Sequence, residues 1–231
     1  MAQPEQISWK KAAAEAAAAL VEDGMIVGLG TGSTAAFFVA ALAQRISQQK
    51  LRIAGIATSE PTAMQARSLH VPLTSFAEHT EIDLTVDGAD EIERGTLFLI
   101  KGGGGALLRE KIVAAASKRM IVVADRTKLV DRLGLAFAVP VEVVPFGWQA
   151  TERKLRDLGG NPTLRTDPAR KPFVTDGGHY IIDCAFGPME KPKETAHHLD
   201  HVTGAVEHGL FLGFASQVFL GGPEGVTILK P

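Results

Sequence analysis

Met25-Ile26-Val27-Gly28-Leu29-Gly30-Thr31-Gly32-Ser33-Thr34 is the stretch on which the fold turns. A short apolar run ends in a glycine-rich, hydroxyl-bearing loop, and a helical pattern from about Ser33 to Ile46 follows at once. Strand, tight loop and helix in that order make the first half of a βαβ unit, because parallel neighbours need a crossover between them. The alternation continues downstream. Leu51–Ala57 precedes a helix opened by Glu60-Pro61, with the proline suited to a first helical turn. Leu84-Thr85-Val86, Leu97–Ile100 and Met120–Val123 read as further strands of the same set. Upstream, the alanine-rich patch at 12–19 predicts a helix from about Ile7 to Val21, closed at Gly24. The expectation is an α/β protein built on a mostly parallel sheet with helices on both faces.

The pattern changes near Leu133. Residues 134–203 carry seven of the chain's twelve prolines, two β-like runs (Ala138–Val144 and His179–Cys184) and a helix-like stretch, Gln149–Leu158. This predicts a smaller α+β lid domain, 134–203, inserted into a main domain of residues 1–133 and 204–231. In the tail, Gln217–Leu220 and Val226–Leu229 flank Gly221-Gly222-Pro223, a pattern for a hairpin returning to the main sheet.

The 231 residues hold 24 Lys and Arg against 26 Asp and Glu, a net charge of −2, with no basic stripe. Nucleic-acid binding is excluded as the main activity, since neutralising phosphates takes clustered positive charge. A single cysteine, Cys184, leaves no internal disulfide and fits a reducing, cytoplasmic setting. No apolar run approaches the ~20 residues of a membrane span. The acidic start, Met1 to Glu5, does not read as a signal peptide.

In an open parallel sheet, ligands bind beyond the carboxyl ends of the strands. The five predicted strands are followed by Gly28–Thr34, Thr58-Ser59-Glu60, Asp87-Gly88-Ala89-Asp90, Lys101–Gly105 and Asp125-Arg126-Thr127-Lys128. The first loop suits a phosphate: glycines admit close approach, the helix start offers free N–H groups, and Thr31, Ser33 and Thr34 add hydroxyls. It lacks the lysine of a P-loop, and Ser33 stands where a dinucleotide fingerprint has glycine. A tight turn that only packs helix on strand is the plainer alternative. The run Gly102–Gly105 is the sharper signal. Each such glycine costs about 0.5–1 kcal/mol relative to alanine in regular structure, so a run of four implies backbone brought close to something. Glu110 lies about one turn into the following helix, beside that loop; helix-dipole stabilisation alone would also explain a glutamate there. Asp87 and Asp90 either cap a turn or, with Glu110, crowd three carboxylates into one crevice, raising at least one pKa. Lys101 would offset part of that charge. Lys128, at the next strand end, is placed to reach an anion or simply to face solvent. His197, His198 and His201 have no third ligand motif, so no metal is expected. Cys184 reads as a small core hydrophobe. Glu207-His208 carries no derivable role.

With these residues assembled, the chain resembles the ribose-5-phosphate isomerase type A family. The matches are Gly28–Ala35, Asp87–Glu91, Lys101–Lys111, Val141–Phe146, Thr175–Asp183 and Glu207–Phe211, in order along essentially the whole chain. The resemblance implies a Rossmann-like domain with a small α+β lid, aldose–ketose isomerisation of ribose 5-phosphate and ribulose 5-phosphate in the non-oxidative pentose phosphate pathway, no metal or other cofactor, and a homodimer or homotetramer. It implies that Glu110 accepts the proton; the chemistry of an enediolate then makes Lys101, as a donor to the developing oxyanion, and Asp87, as a proton shuttle between oxygens, further catalytic candidates. Substrate contacts would come from Thr31, Gly32, Ser33, Thr34, Asp87, Gly88, Ala89, Asp90, Lys101, Gly102, Gly103, Gly104 and Lys128. The chain departs from the family in a slightly longer Asp90–Lys101 segment, in His179 where asparagine is usual, and in Thr203-Gly204-Ala205-Val206. Competing readings are a sugar-phosphate sensor that binds without turnover, and a deaminase or acyl-CoA transferase on a related sheet.

Overall fold

The computed structural model describes residues 4–231. In chain order its elements are α1 (Pro4–Ala18), β1 (Ile26–Leu29), α2 (Ser33–Gln49), β2 (Ala54–Ala57), α3 (Glu60–Ser68), β3 (Leu84–Asp87), β4 (Glu91–Glu93), β5 (Leu99–Ile100) and α4 (Leu107–Ala115). There follow β6 (Met120–Asp125), a 3₁₀ turn (Arg126–Lys128), β7 (Leu129–Val130), β8 (Val139–Val143), α5 (Trp148–Asp157), β9 (Asn161–Leu164) and β10 (Tyr180–Ala185). The chain closes with α6 (Pro192–Asp200), β11 (Ala205–His208), β12 (Leu210–Phe211), β13 (Ala215–Gly222) and β14 (Gly225–Leu229).

The main sheet has six strands in the order β14-β13-β6-β3-β1-β2. All its neighbours are parallel except the β13–β14 hairpin, which brings the tail back beside β6 as the turn signal at Gly221-Gly222-Pro223 implied. β6 is buried along its whole length, as a central strand covered on both faces must be. On one face α1 and α2 pack together; Ala13, Ala14, Ala17 and Ala18 share one side of α1, and their small side chains let it sit close to the sheet. Phe38 and Leu42 of α2 fill the space above Leu29, Val86 and Val123. Ser59 caps α3 by accepting a hydrogen bond from the Thr62 amide at 3.2 Å, with Pro61 in the first turn.

One expectation fails. Leu97–Ile100 is not a parallel strand of the main sheet. Its residues 99–100, β5, pair antiparallel with β4 and β12, in a separate four-stranded sheet ordered β12-β5-β4-β7. The physical reason is length. Between Asp87 and Leu97 the chain also forms β4, so nothing is left for the dozen or more residues of a helical crossover. The proline-rich stretch supplies a third sheet, β11-β8-β10-β9, antiparallel throughout and covered by α5 and α6 around Val141, Leu155, Ile182 and Leu199. β11, from the chain's last segment, adds to this sheet by pairing antiparallel with β8.

Candidate functional site

The carboxyl ends of β1, β3 and β6 open onto a hollow of about 130 Å³, lined by Thr31–Thr34, Gly88–Asp90, Lys101–Gly104, Glu110, Lys128 and Lys10. Two close approaches shape it. The β1 loop lies so near β3 that a Cβ at Gly30 would run into the Asp87 carboxylate. Asp87 in turn holds that loop, its Oδ1 accepting from the Thr31 amide at 3.0 Å and from the Gly88 amide at 2.7 Å. A Cβ at Gly103 would stand 2.6 Å from Asp90 Oδ1, while the Gly103 amide donates to Asp90 Oδ2 at 2.8 Å. No helix follows Asp87 or Asp90, so neither is a helix cap; both brace glycine-rich backbone.

Lys101 enters from the end of β5, with its amide on the Gly209 carbonyl at 2.9 Å. Its ammonium donates to the Gly88 carbonyl at 2.7 Å and lies 3.1 Å from Asp87 Oδ2 and 3.3 Å from Glu110 Oε1. Glu110 sits one turn into α4, its amide on the Ala106 carbonyl. All three side chains are buried. The ammonium lies beside both carboxylates, and Asp87 Oδ2 and Glu110 Oε2 have no hydrogen-bond partner among the described residues. Two buried carboxyls thus share one cation. Burial pushes the Glu110 pKa up, the Asp87 charge adds to it, and Lys101 only partly opposes; the result is about 8. Burial also raises Asp87 above the usual carboxylate range, against the pull of Lys101. Burial alone would lower Lys101, but Asp87 and Glu110 outweigh it and hold the ammonium above the ordinary lysine value.

At the other end of the hollow, α2 begins without a side-chain cap, leaving the amides of its first turn toward the crevice mouth. Two lysines flank it: Lys128 from the 3₁₀ turn and Lys10 from α1, whose ammonium reaches Ser33 Oγ at 3.1 Å and Asp125 Oδ2 at 3.8 Å. Lys10 escaped the sequence reading. It follows no strand and looks like its solvent-facing neighbour Lys11; only the docking of α1 against α2 and β6 brings it here.

Other signals resolve elsewhere. Thr58 and Ser59 do not line the hollow; they are buried beneath the loop, where the Thr31 hydroxyl bonds to them at 2.7 and 2.8 Å. Glu207 and His208 anchor Lys111, whose ammonium lies 2.5 Å from Glu207 Oε1 and 2.6 Å from the His208 carbonyl. Asp200, Glu207 and His208 offer metal-type ligand atoms close together, but Glu207 is paired with the Lys111 ammonium and Asp200 Oδ1 lies 3.0 Å from His208 Nε2. His201 Nδ1 bonds the His197 carbonyl within α6. His179 pairs with Glu142 at 2.9 Å in the small sheet. Cys184 is buried, its thiol pushed up to about 12 by burial, and packs as a small hydrophobe.

Fold and hollow define the class: an α/β protein with a small-molecule crevice where the strands of a parallel sheet end, glycine-lined at both lips. The profile of the family described as ribose 5-phosphate isomerase A (phosphoriboisomerase A) matches residues 54–225. A ribose-5-phosphate isomerase A of Synechococcus sp. (strain JA-3-3Ab) is 52% identical over 221 residues, covering 96% of each chain. The structure of ribose 5-phosphate isomerase A from Methanocaldococcus jannaschii superposes with a TM-score of 0.93 at 40% identity, over 97% of this chain and 99% of that one. A D-ribose-5-phosphate isomerase in complex with phospho-erythronic acid gives a TM-score of 0.94 at 37% identity, over 97% and 98%. The chain belongs to the ribose-5-phosphate isomerase A family.

Proposed function

We propose that this protein interconverts ribose 5-phosphate and ribulose 5-phosphate through an enediolate, and that the hollow is where it does so. The observation carrying this is the Glu110 carboxyl: buried, 3.3 Å from Lys101, with a pKa lifted to about 8. A base whose pKa lies near the working pH is what moving a proton between C2 and C1 requires, and such a base contributes about 10²–10⁴-fold. Glu110 takes the C2 proton and returns it to C1. Lys101 and the amides of the Gly102–Gly104 loop meet the negative charge that develops on oxygen, each such donor being worth about 2.7–4 kcal/mol. Asp87 and Asp90 hold sugar hydroxyls, and Asp87 passes protons between oxygens. The open start of α2, with Gly32, Ser33 and Thr34 and the ammoniums of Lys10 and Lys128, takes the phosphate, whose binding energy positions the reacting carbons. A sensor that only binds sugar phosphates has no use for a buried carboxyl with a raised pKa, so the isomerase reading is favoured.

The division into a main unit (1–133 and 204–231) and a lid (134–203) belongs to this proposal, supported by β8, β9, β10, α5 and α6 all lying within 134–203. So do a cytoplasmic location and a homodimer or homotetramer; no helix among the described residues is long and apolar enough to cross a membrane. Incubating the protein with ribose 5-phosphate and following ketose formation tests the activity. Ketose at equilibrium is expected; binding without ketose would favour the sensor and overturn the reading.

A further inference from the structure

Arg165 follows β9 in the small sheet and lies outside the hollow, yet it grips the glycine loop. Its Nη1 donates to the Gly102 carbonyl at 2.8 Å, which also accepts from the Gly105 amide at 3.0 Å, and to the Gly103 carbonyl, part of the Gly103–Gly104 peptide, at 3.2 Å. The guanidinium is itself fixed. Nε and Nη2 pair with Asp183 of β10, at 2.9 and 2.5 Å, and the Phe173 ring lies 5.9 Å from its centre. The backbone is tied on both sides, the Arg165 amide to Ile181 and its carbonyl to the Phe173 amide.

A peptide unit is planar and trans, so a carbonyl and the next residue's N–H point in opposite directions. With the Gly102 and Gly103 carbonyls turned to Arg165, the N–H groups of Gly103 and Gly104 point away from it. The first goes to Asp90 Oδ2. That of Gly104 finds no partner among the described residues, and Gly104 lines the hollow with Lys101 and Glu110. Glycine peptides flip readily, since glycine populates positive and negative φ about equally. A flipped Gly103–Gly104 peptide would turn a carbonyl dipole, negative end first, toward an oxyanion.

We propose that Arg165 is a positioning residue for the isomerisation: by holding two carbonyls of the glycine loop, it keeps the Gly104 N–H aimed where negative charge develops on the substrate. This rests on the isomerase reading of the hollow. Arg165 touches no substrate; it acts through the backbone, and the lid thereby completes a site on the main sheet.

The test compares Arg165→Ala with the unaltered protein. Expected are a kcat about 10–100-fold lower, less than or comparable to removing an oxyanion donor outright, and a KM little changed. Inhibition by phospho-erythronic acid, whose carboxylate mimics the enediolate oxygens, weakens in step with kcat/KM. Inhibition by inorganic phosphate, which reports only the phosphate end, is unchanged. Added guanidinium ion restores part of kcat without altering KM. An unaltered protein that forms no ketose overturns the functional reading before any variant is made. Given an active protein, an Arg165→Ala variant with unchanged kcat and inhibitor affinity overturns the positioning role. So does a variant that loses inhibitor and phosphate affinity together with no guanidinium rescue, since that marks a general structural loss. If Arg165→Ala does not fold, Arg165→Lys, which keeps the charge without the fork, carries the same comparison: reduced kcat with unchanged phosphate inhibition supports the role, and unchanged kcat overturns it.

Discussion

At Glu110 a carboxyl that would titrate near 4.5 in water is held near 8, and the cause is local: burial, with Asp87 as a second negative charge and one ammonium between two acids. The proposed base must lose its proton to act, so kcat/KM should rise with pH through a midpoint well above the ordinary glutamate range, toward 8. A midpoint near 4–5 in a pH–rate profile would contradict this. Asp87→Asn keeps an oxygen for the Thr31 and Gly88 amides but removes the neighbouring charge that raises Glu110, so the same profile should shift to lower pH. Activity should fall, because an amide NH2 then faces the Lys101 ammonium in place of Oδ2. Lys101→Met should lower kcat about 10²–10³-fold, as removal of an oxyanion donor does; steady-state kinetics on the purified variant decide it. Most of these residues were legible in the sequence because glycines and charges cluster at strand ends for few structural reasons. Lys10 was not, because one lysine on a helix carries no sign of which tertiary surface it will meet.

Elements place these groups more than propensity does. The β1 loop and β3 approach so closely that position 30 admits no side chain, and the Asp87 carboxylate fills the space instead. Gly30→Ala should therefore push Asp87 from its bonds to Thr31 and Gly88, and kcat/KM should fall while the main sheet stays folded by circular dichroism. Intact activity would show that the loop yields. α1 and the 3₁₀ turn each deliver one lysine to the start of α2. Lys10→Ala and Lys128→Ala should each raise KM for the sugar phosphate with a smaller effect on kcat. An unchanged KM in both would place the phosphate elsewhere. Sequence periodicity found the parallel strands and the returning hairpin, since their apolar runs are bounded by glycine and proline. It misplaced β5, because two buried apolar residues look alike in a parallel and an antiparallel partner; only the chain length available for a crossover separates them.

Across the whole molecule, the strand ends of the main sheet and of β5 supply one crevice, the small sheet holds its glycine loop from outside, and the groups gathered there cost stability. Glu110 binds its proton more tightly in the folded state than in the unfolded one. From about 4.5 to about 8 the unfolded chain gives up that proton and the native one does not. Stability attributable to this group is thus fully present below 4.5 and lost as pH rises through 8. Glu110→Gln removes the slope: its Tm should exceed that of the unaltered protein more at pH 8.5 than at pH 5, each kcal/mol moving Tm by about 2–4 °C at this length. An equal difference at both pH values would argue against a raised carboxyl. The two β-like runs of the proline-rich stretch were legible and form β8 and β10 of the small sheet. Its grip on the glycine loop through Arg165 was not, since no local pattern links residue 165 to residues 102 and 103.

The most direct measurement of the central claim is exchange of the substrate's C2 hydrogen with solvent. Ribose 5-phosphate incubated in D₂O with Glu110→Gln should acquire no deuterium at C2 above the uncatalysed rate, while the variant binds it within an order of magnitude of the unaltered protein. Exchange at the normal rate in that variant would show that another group removes the proton.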